Sequence, residues 1–407
     1  MKQSCDVAII GAGPYGLSVA AHLGASGVNY RIFGKPLGTW ASHMPKNMTL
    51  KSEGFASNLS DPTSDFTMKA WSGRKGLAYE DQGLPIGLDT FLDYGAAFRR
   101  RFVPRLEDVQ VTDLARKEDG FVLTLDTGET FEARNVVMAI GVTWFAHTPP
   151  ILAALPRDMI SHSYDHRDTS GFKGREVAVI GTGSSAIDLA HQLQESGASP
   201  HIIGRADHIQ YNCTPDPERE KLLYKLQNPP STIGRGWRSY FCAEAPLLFY
   251  RVPKQLKERA IRSHMHPAAG WFMREQVEGR IPTTLGHTPV AAQAKDGRAV
   301  LTLADGAGAQ TTQSFDHVIA ATGYRVNLKC VPFLSESLRS QIALTNTSPL
   351  VSDNFETSIP GLYAIGLSAM EMFGPLMRFM VGAEFAAPRV AAHLERKIAM
   401  PKRQRAA

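Results

Sequence analysis

Cysteine is scarce in this chain. The four residues Cys5, Cys213, Cys242 and Cys330 are scattered, and none forms a C-x-x-C pair. Such spacing writes neither a zinc knuckle nor a redox dithiol, and it fits a reducing compartment. Long apolar runs are missing as well: the most apolar late stretch, residues 361–387, is interrupted by Glu371, Arg378 and Glu384, which argues against a membrane span. An apolar strand starts at about Cys5 and runs straight into a glycine loop, which leaves no place for a signal peptide. Neither sign of charge dominates. The net +5 over 407 residues is too mild for a nucleic-acid binder, and the basic tail (Lys397, Lys402, Arg403, Arg405) reads as a solvated helix end. No G-x-S-x-G occurs, so a nucleophile elbow is excluded. These absences leave a cytoplasmic globular protein of two or three domains, at roughly 150 residues per domain, with neither nucleic acid nor membrane as partner.

What is present begins with Asp6-Val-Ala-Ile-Ile10, then Gly11-Ala12-Gly13-Pro14-Tyr-Gly16, then Leu17-Ser-Val-Ala-Ala-His-Leu23. The order is buried strand, glycine turn, helix. In that context G-x-G-x-x-G lets the backbone approach a pyrophosphate, and the helix N-terminus supplies N–H groups and a partial positive charge. The unit recurs as Glu176-Val-Ala-Val-Ile180, Gly181-Thr182-Gly183-Ser184-Ser185-Ala186, and Ile187-Asp-Leu-Ala-His-Gln-Leu193. Each copy closes alike. Phe121–Leu125, Thr127-Gly128 and Asn135–Gly141 match Ala299–Leu303, Asp305-Gly306 and Asp316–Gly323, the second ending in Thr322-Gly323. From Gly11 to Gly141 the chain advances 130 residues, and from Gly181 to Gly323 it advances 142. Two units of nearly equal period predict a duplicated dinucleotide-binding domain.

The predicted fold is therefore α/β: two Rossmann-like dinucleotide-binding domains, the second inserted into the first. The expected boundaries are 1–165 for the first part of the FAD-binding domain, 166–325 for the NADPH-binding domain, and 326–407 for the return to the first. A mostly helical insertion is expected over about 206–290. The last part carries a short strand ending in Gly366, then Phe373-Gly374-Pro375-Leu376, where Pro375 suits the first turn of a helix running to about Glu395. That helix start is expected to aim its dipole at the electron-rich end of a flavin.

The residue ending the second strand of each unit sorts the cofactors. In the second unit His201-Ile-Ile-Gly204 ends in Arg205, which favours NADPH over NADH. In the first, Tyr30-Arg-Ile-Phe33 leads to Gly34 and Lys35, with no acid for the adenosine ribose. His162 and His166 are four residues apart with no third ligand nearby, so they read as a loop against the nicotinamide cofactor rather than a metal site. His264-Met-His266-Pro267 reads as a helix end. Trp237, Tyr240, Phe241, Phe249 and Tyr250 are candidates either for an apolar substrate wall or for the insertion's own core.

These residues resemble the two-dinucleotide-binding-domain flavoprotein monooxygenases, which include flavin-containing monooxygenases and the N-hydroxylating lysine and ornithine monooxygenases. Leu37-Gly-Thr-Trp40 is similar to the family's G-G-x-W segment that packs on the flavin, and residues 172–186 are similar to the entry of its NADPH domain. Asp316-His-Val-Ile-Ala-Ala-Thr-Gly-Tyr324 is similar to the D-x-x-x-[LF]-A-T-G-Y signature of the N-hydroxylating group. The 48–67 stretch resembles that group's flavin-edge segment, sharing Met48, Asp61-Pro62, Ser64 and Phe66-Thr67.

The departures matter too. Gly54 stands where the group's substrate-binding lysine would fall and Thr49 where a flavin-contacting glutamine would, which points away from lysine and ornithine. Pro156 and Asp158 replace the Phe and Gly of an F-x-G-x-x-x-H segment, whose histidine survives as His162. The resemblance implies FAD reduced by NADPH, a C4a-hydroperoxyflavin formed with dioxygen, and oxygenation of a small organic substrate, most naturally at nitrogen. It demands no catalytic side chain. Baeyer–Villiger or sulfur oxygenation, an NADPH oxidase or flavin reductase, and a non-catalytic NADP(H)-binding protein remain the alternatives.

Overall fold

The computed structural model describes residues 4–216, 221–263 and 268–400. In chain order it begins with β1 (Ser4–Ile10), α1 (Pro14–Ala25), β2 (Tyr30–Phe33), α2 (Gly38–His43), α3 (Leu88–Phe102), β3 (Val111–Lys117), β4 (Gly120–Leu125) and β5 (Thr130–Met138). The second unit brings β6 (Ile160–His162), β7 (Glu176–Ile180), α4 (Ser184–Glu195) and β8 (Ser199–Gly204). Four helices follow: α5 (Leu222–Gln227), α6 (Trp237–Glu244), α7 (Pro246–Arg251) and α8 (Lys254–Ser263). The chain continues through β9 (Thr283–Leu285), β10 (Thr288–Lys295), β11 (Arg298–Ala304), β12 (Gln310–Phe315) and β13 (His317–Ala320). It then returns as β14 (Leu362–Ala364) and α9 (Gly382–Ala399).

Two parallel sheets carry the molecule. In the first, β2, β1, β5 and β14 lie side by side in parallel, and the N-terminal half of β5 continues into an antiparallel meander with β4 and β3. In the second, the order is β9-β8-β7-β13-β6, all parallel, with β10, β11 and β12 forming a separate antiparallel meander. The duplication read from the sequence is thus a duplication of topology, since β10–β13 repeat β3–β5. The central strands are apolar on both faces, as parallel strands covered on both sides require. Val7, Ala8 and Ile9 in β1 and Val177, Ala178 and Val179 in β7 are fully buried.

The two ends of the chain meet in the first unit. β14 pairs with β5 through Leu362↔Val136, Tyr363↔Val137 and Ala364↔Met138, and α9 packs along α1. The second unit begins earlier than residue 166, because β6 at 160–162 already pairs with β13. The insertion leaves the second unit but packs elsewhere: Ile233, Cys242, Ala243 and Phe249 belong to the first unit's core. Its aromatic residues divide accordingly. Phe249 is buried and Tyr250 packs at a tilt on Phe373, whereas Trp237, Tyr240 and Phe241 lie at the surface. No helix among the described residues is long and apolar enough to cross a membrane. His264, His266, Lys402, Arg403 and Arg405 lie outside the described residues, while Lys397, on α9, pairs with Glu356.

Candidate functional site

The two glycine loops repeat each other atom for atom in their logic. Gly11 (φ +110°) and Gly181 (φ +137°) sit in backbone conformations that side chains rarely adopt. A Cβ would fall 2.3 Å from the Ala139 carbonyl oxygen at Gly11, and 2.5 Å from that of Ala321 at Gly181. At Gly16 a Cβ would lie 1.9 Å from the Gly11 oxygen, so the helix can approach the loop only through glycine. In the second unit that position is Ala186, which is fully buried.

Gly13 differs from its neighbours. A Cβ there would meet nothing within 4 Å, so the protein's own packing does not require glycine at this position. Gly13 and Gly183 are the N-caps of α1 and α4, and neither helix start is capped by a side chain. Uncapped first-turn N–H groups and the helix dipole are features that could take an anion such as a pyrophosphate at both starts. Ala12 and Pro14 complete the first loop. Around the second, Thr182 packs on Gly204, Ser184 Oγ donates to the Ala268 carbonyl, and Ser185 is exposed.

The ends of the second strands differ. Arg205, just past β8, is exposed and makes no hydrogen bond or ion pair among the described residues, so its guanidinium is open to an anion. Past β2, Gly34 (φ +125°) donates its N–H to the Glu107 carbonyl, 3.0 Å away. The Glu107 carboxylate is held by Arg31 through Nε at 2.8 Å and Nη2 at 2.6 Å. No free carboxylate replaces the missing acid there.

The chain's return covers the first loop, with one correction. Pro375 opens only a single 3-10 turn, Pro375–Arg378, and the long helix α9 starts separately at Gly382. The expected continuous helix, with its dipole starting at Pro375, is not formed. At the break lies Tyr15, whose hydroxyl donates to the carbonyls of Phe379 (2.8 Å) and Met377 (3.3 Å). A Cβ at Gly382 would lie 2.2 Å from that hydroxyl, and one at Gly366 would lie 3.3 Å from the Tyr15 ring. Tyr15, a residue to which the sequence assigned no role, thus ties the first loop to Gly366 and to the backbone that follows Leu376. Gly374 (φ +84°) lies against the Phe249 ring, 2.8 Å from its would-be Cβ.

Between the two units lies an aromatic junction. Trp40, on α2, packs on Phe91 at 4.9 Å between ring centres. His43 stacks on Tyr164 at 3.9 Å and shares a 3.0 Å hydrogen bond with the Tyr164 carbonyl. The Tyr164 ring meets Tyr324 edge-on at 6.2 Å. His162 Nδ1 accepts from the Tyr164 N–H, so its Nε2 carries the proton and donates to the Gly323 carbonyl at 3.1 Å. The same carbonyl accepts from the His147 N–H at 3.0 Å, and Thr322 Oγ1 donates to the His147 carbonyl. Gly323 is thereby held at the mouth of the second loop. Met48 anchors the neighbouring segment, accepting from the Leu88 N–H at 2.9 Å.

Burial acts on three rings of the junction by disfavouring their charged forms. Burial lowers His162 and raises Tyr164 and Tyr324. Thiol chemistry is distant. All four cysteines are free, and burial pushes Cys5 up to about 12 and Cys242 up to about 11, so both stay protonated. No group of three or more His, Cys, Asp or Glu among the described residues could hold a metal ion. Gly54 is sealed: its Cβ would fall 2.2 Å from the Glu80 carbonyl and 3.0 Å from the Tyr79 ring, so no lysine fits there.

A second histidine network braces the start of the second unit, beside the first strand of its sheet. His317 Nδ1 donates to the Asp158 carbonyl, and Ser161 Oγ bridges His317 Nε2 (2.7 Å) and His166 Nε2 (2.6 Å). Burial lowers both rings, which favours their neutral forms in the folded protein. The unfolded chain protonates them below about pH 6.5, binding more protons than the native state, so stability rises with pH through that window. Melting temperature should hold above about pH 6.5 and fall as pH drops below it. His166→Gln, which keeps a donor to Ser161 but does not titrate, should give a shallower decline.

Comparison with known proteins follows this geometry. A family model described as pyridine nucleotide-disulphide oxidoreductase matches residues 8–221. A ferredoxin–NADP reductase of Mesorhizobium japonicum is 29% identical over 229 residues, 55% of this chain and 58% of that protein. A senecionine N-oxygenase of Tyria jacobaeae is 31% identical over 231 residues, 52% of this chain and 48% of that one. The chain thus spans about half the length of these two curated relatives. In overall fold it is similar to an ornithine N-hydroxylase of Kutzneria sp. 744, solved with reduced FAD, NADP+ and L-ornithine. That similarity has a TM-score of 0.76 at 17% identity and covers 98% of this chain and 100% of the other.

Proposed function

The chain belongs to the pyridine nucleotide-disulphide oxidoreductase family, and on that premise we propose that it is an FAD-dependent, NADPH-consuming monooxygenase that oxygenates a small organic substrate at nitrogen. The observation that carries this reading is the pair of uncapped glycine loops joined through an aromatic junction that contains no thiol pair. Gly11, Ala12, Gly13, Pro14 and Gly16 would hold the pyrophosphate of FAD, with Trp40, Met48, Gly366, Gly374, Pro375 and Leu376 around its ring end. Gly181, Thr182, Gly183, Ser184, Ser185 and Ala186 would hold that of NADPH, with Arg205 on the 2′-phosphate and Thr322 and Gly323 at the nicotinamide end. FAD, once bound, supplies the hydride and electron chemistry toward dioxygen.

The protein's share is position and shielding. His162 fixes the Gly323 carbonyl, Tyr15 fixes the returning chain, and Trp40, Tyr164 and Tyr324 keep water from the junction. Burial disfavours the charged forms of His162, Tyr164 and Tyr324 alike, and the substrate nitrogen would present its own lone pair. The sealed Gly54 removes the lysine expected of an amino-acid hydroxylase, which favours amines other than lysine and ornithine.

A second reading, an NADPH-dependent reductase passing electrons to a protein acceptor, is favoured by the similarity to ferredoxin–NADP reductases. Assaying NADPH consumption with a panel of amines, and separately with ferredoxin under exclusion of oxygen, separates the two. The monooxygenase reading expects N-oxygenated product in proportion to NADPH. Turnover with ferredoxin alone, or NADPH converted wholly to hydrogen peroxide, would overturn it.

A further inference from the structure

One buried ion pair joins the two units away from the glycine loops. Lys51 belongs to the 48–67 segment of the first unit, and its Nζ lies 2.9 Å from Oδ2 of Asp188 on α4 of the second. The side chains are 19% and 7% exposed. Lys51 Nζ also donates to the Thr49 carbonyl at 2.8 Å and sits 5.1 Å from the centre of the Phe272 ring, and Asn212 donates to the Lys51 carbonyl at 3.3 Å. Phe272 and Asn212 both come from the second unit's side of the junction.

The duplication explains why these residues meet. Asp188 is the fifth residue after Gly183, and the matching position in α1, five after Gly13, is Ser18. Ser18 Oγ accepts from the Ser60 N–H at 3.0 Å, and Ser60 Oγ bonds His22 Nε2 at 2.9 Å. One segment therefore grips the equivalent position on both dinucleotide helices, through Ser60 on the first and Lys51 on the second. Nearby, Gln192 of α4 donates to the Lys46 carbonyl.

We infer that Lys51 and Asp188 are positioning residues that pin α4 to the 48–67 segment and so set the approach of the two cofactors for hydride transfer. The inference rests on the proposed reading that the first unit holds FAD and the second NADPH. A buried ion pair adds little net stability over an apolar pair, and its better-attested use is to fix one arrangement among several. Hydride transfer is sensitive to such an arrangement, since a misplacement of about 1 Å costs on the order of a hundredfold in rate.

Asp188→Asn, Lys51→Met and the double variant test the pin in the full chain. Each should retain FAD and be reduced by dithionite as the wild type is. At saturating NADPH without oxygen, flavin reduction should slow by about tenfold or more, with NADPH affinity changed only a few-fold. The double variant should be no slower than the worse single variant. Amide hydrogen exchange, measured without NADPH, should rise both in residues 49–61 and in the first turns of α4.

A variant with wild-type exchange in both stretches would overturn the pin. So would raised exchange with an unchanged rate of reduction by NADPH, since the pair would then serve stability alone. A wild-type protein that takes up no FAD, or whose flavin NADPH does not reduce, would instead sink the cofactor reading, and the positioning role with it. The exchange result would still decide whether the pair ties the segment to α4.

Discussion

Gly13→Ala should leave the protein folded and strip it of FAD. At Gly11 and Gly16 a methyl group collides with the protein's own backbone, at 2.3 Å and 1.9 Å, so substitution there damages the loop itself. At Gly13 the methyl has no protein neighbour within 4 Å, and the only thing left for it to meet is a ligand crossing the helix start. Pushing a pyrophosphate off the first-turn N–H groups forfeits hydrogen bonds to a charged group, about 1.5–3 kcal/mol for each one lost. Two lost bonds would weaken FAD by a hundredfold or more, on the order of 3 kcal/mol or above. The check is bound flavin per chain alongside the melting temperature of the flavin-free protein. Gly16→Ala should lower both, while Gly13→Ala should lower only the first. Full flavin occupancy in Gly13→Ala would show that the first loop holds no pyrophosphate.

Arg205→Ala should separate the two nicotinamide cofactors. The guanidinium is exposed and unengaged among the described residues, so its removal breaks no internal contact. A phosphate bound by it gains charge-assisted hydrogen bonds worth about 1.5–3 kcal/mol, roughly ten- to 150-fold in affinity. NADPH should weaken by that factor in a direct binding titration while NADH stays nearly constant. Equal losses for both cofactors would make Arg205 a structural residue.

The parts of this molecule legible in its sequence are those fixed by local constraint. Gly11 and Gly181 need positive φ and a close carbonyl, so each loop announces itself within six residues, and the repeated strand endings expose the duplication. The parts that were not legible depend on contacts between distant residues. Tyr15 bonds carbonyls more than 360 positions away, at the point where the 375–378 turn stops short of α9. Apolar and helix-forming residues on both sides of Phe379 gave no sign of a break. Likewise, Phe249 and Tyr250 sit in a stretch that belongs by sequence to the second unit, yet they bury themselves against the first. The pairing of Lys51 with Asp188 joins two elements far apart in the chain and leaves no local signal. The boundary at 165 was late because β6 spans only three residues, too few to show a period.

The central claim is that electrons taken from NADPH leave this protein by placing an oxygen atom on a substrate nitrogen. Turnover of the FAD- and NADPH-loaded protein with an accepted amine under isotope-labelled dioxygen tests it most directly. The account predicts one labelled oxygen atom in the N-oxygenated product for each NADPH consumed. Labelled hydrogen peroxide in the same ratio, with the amine recovered unchanged, would contradict it.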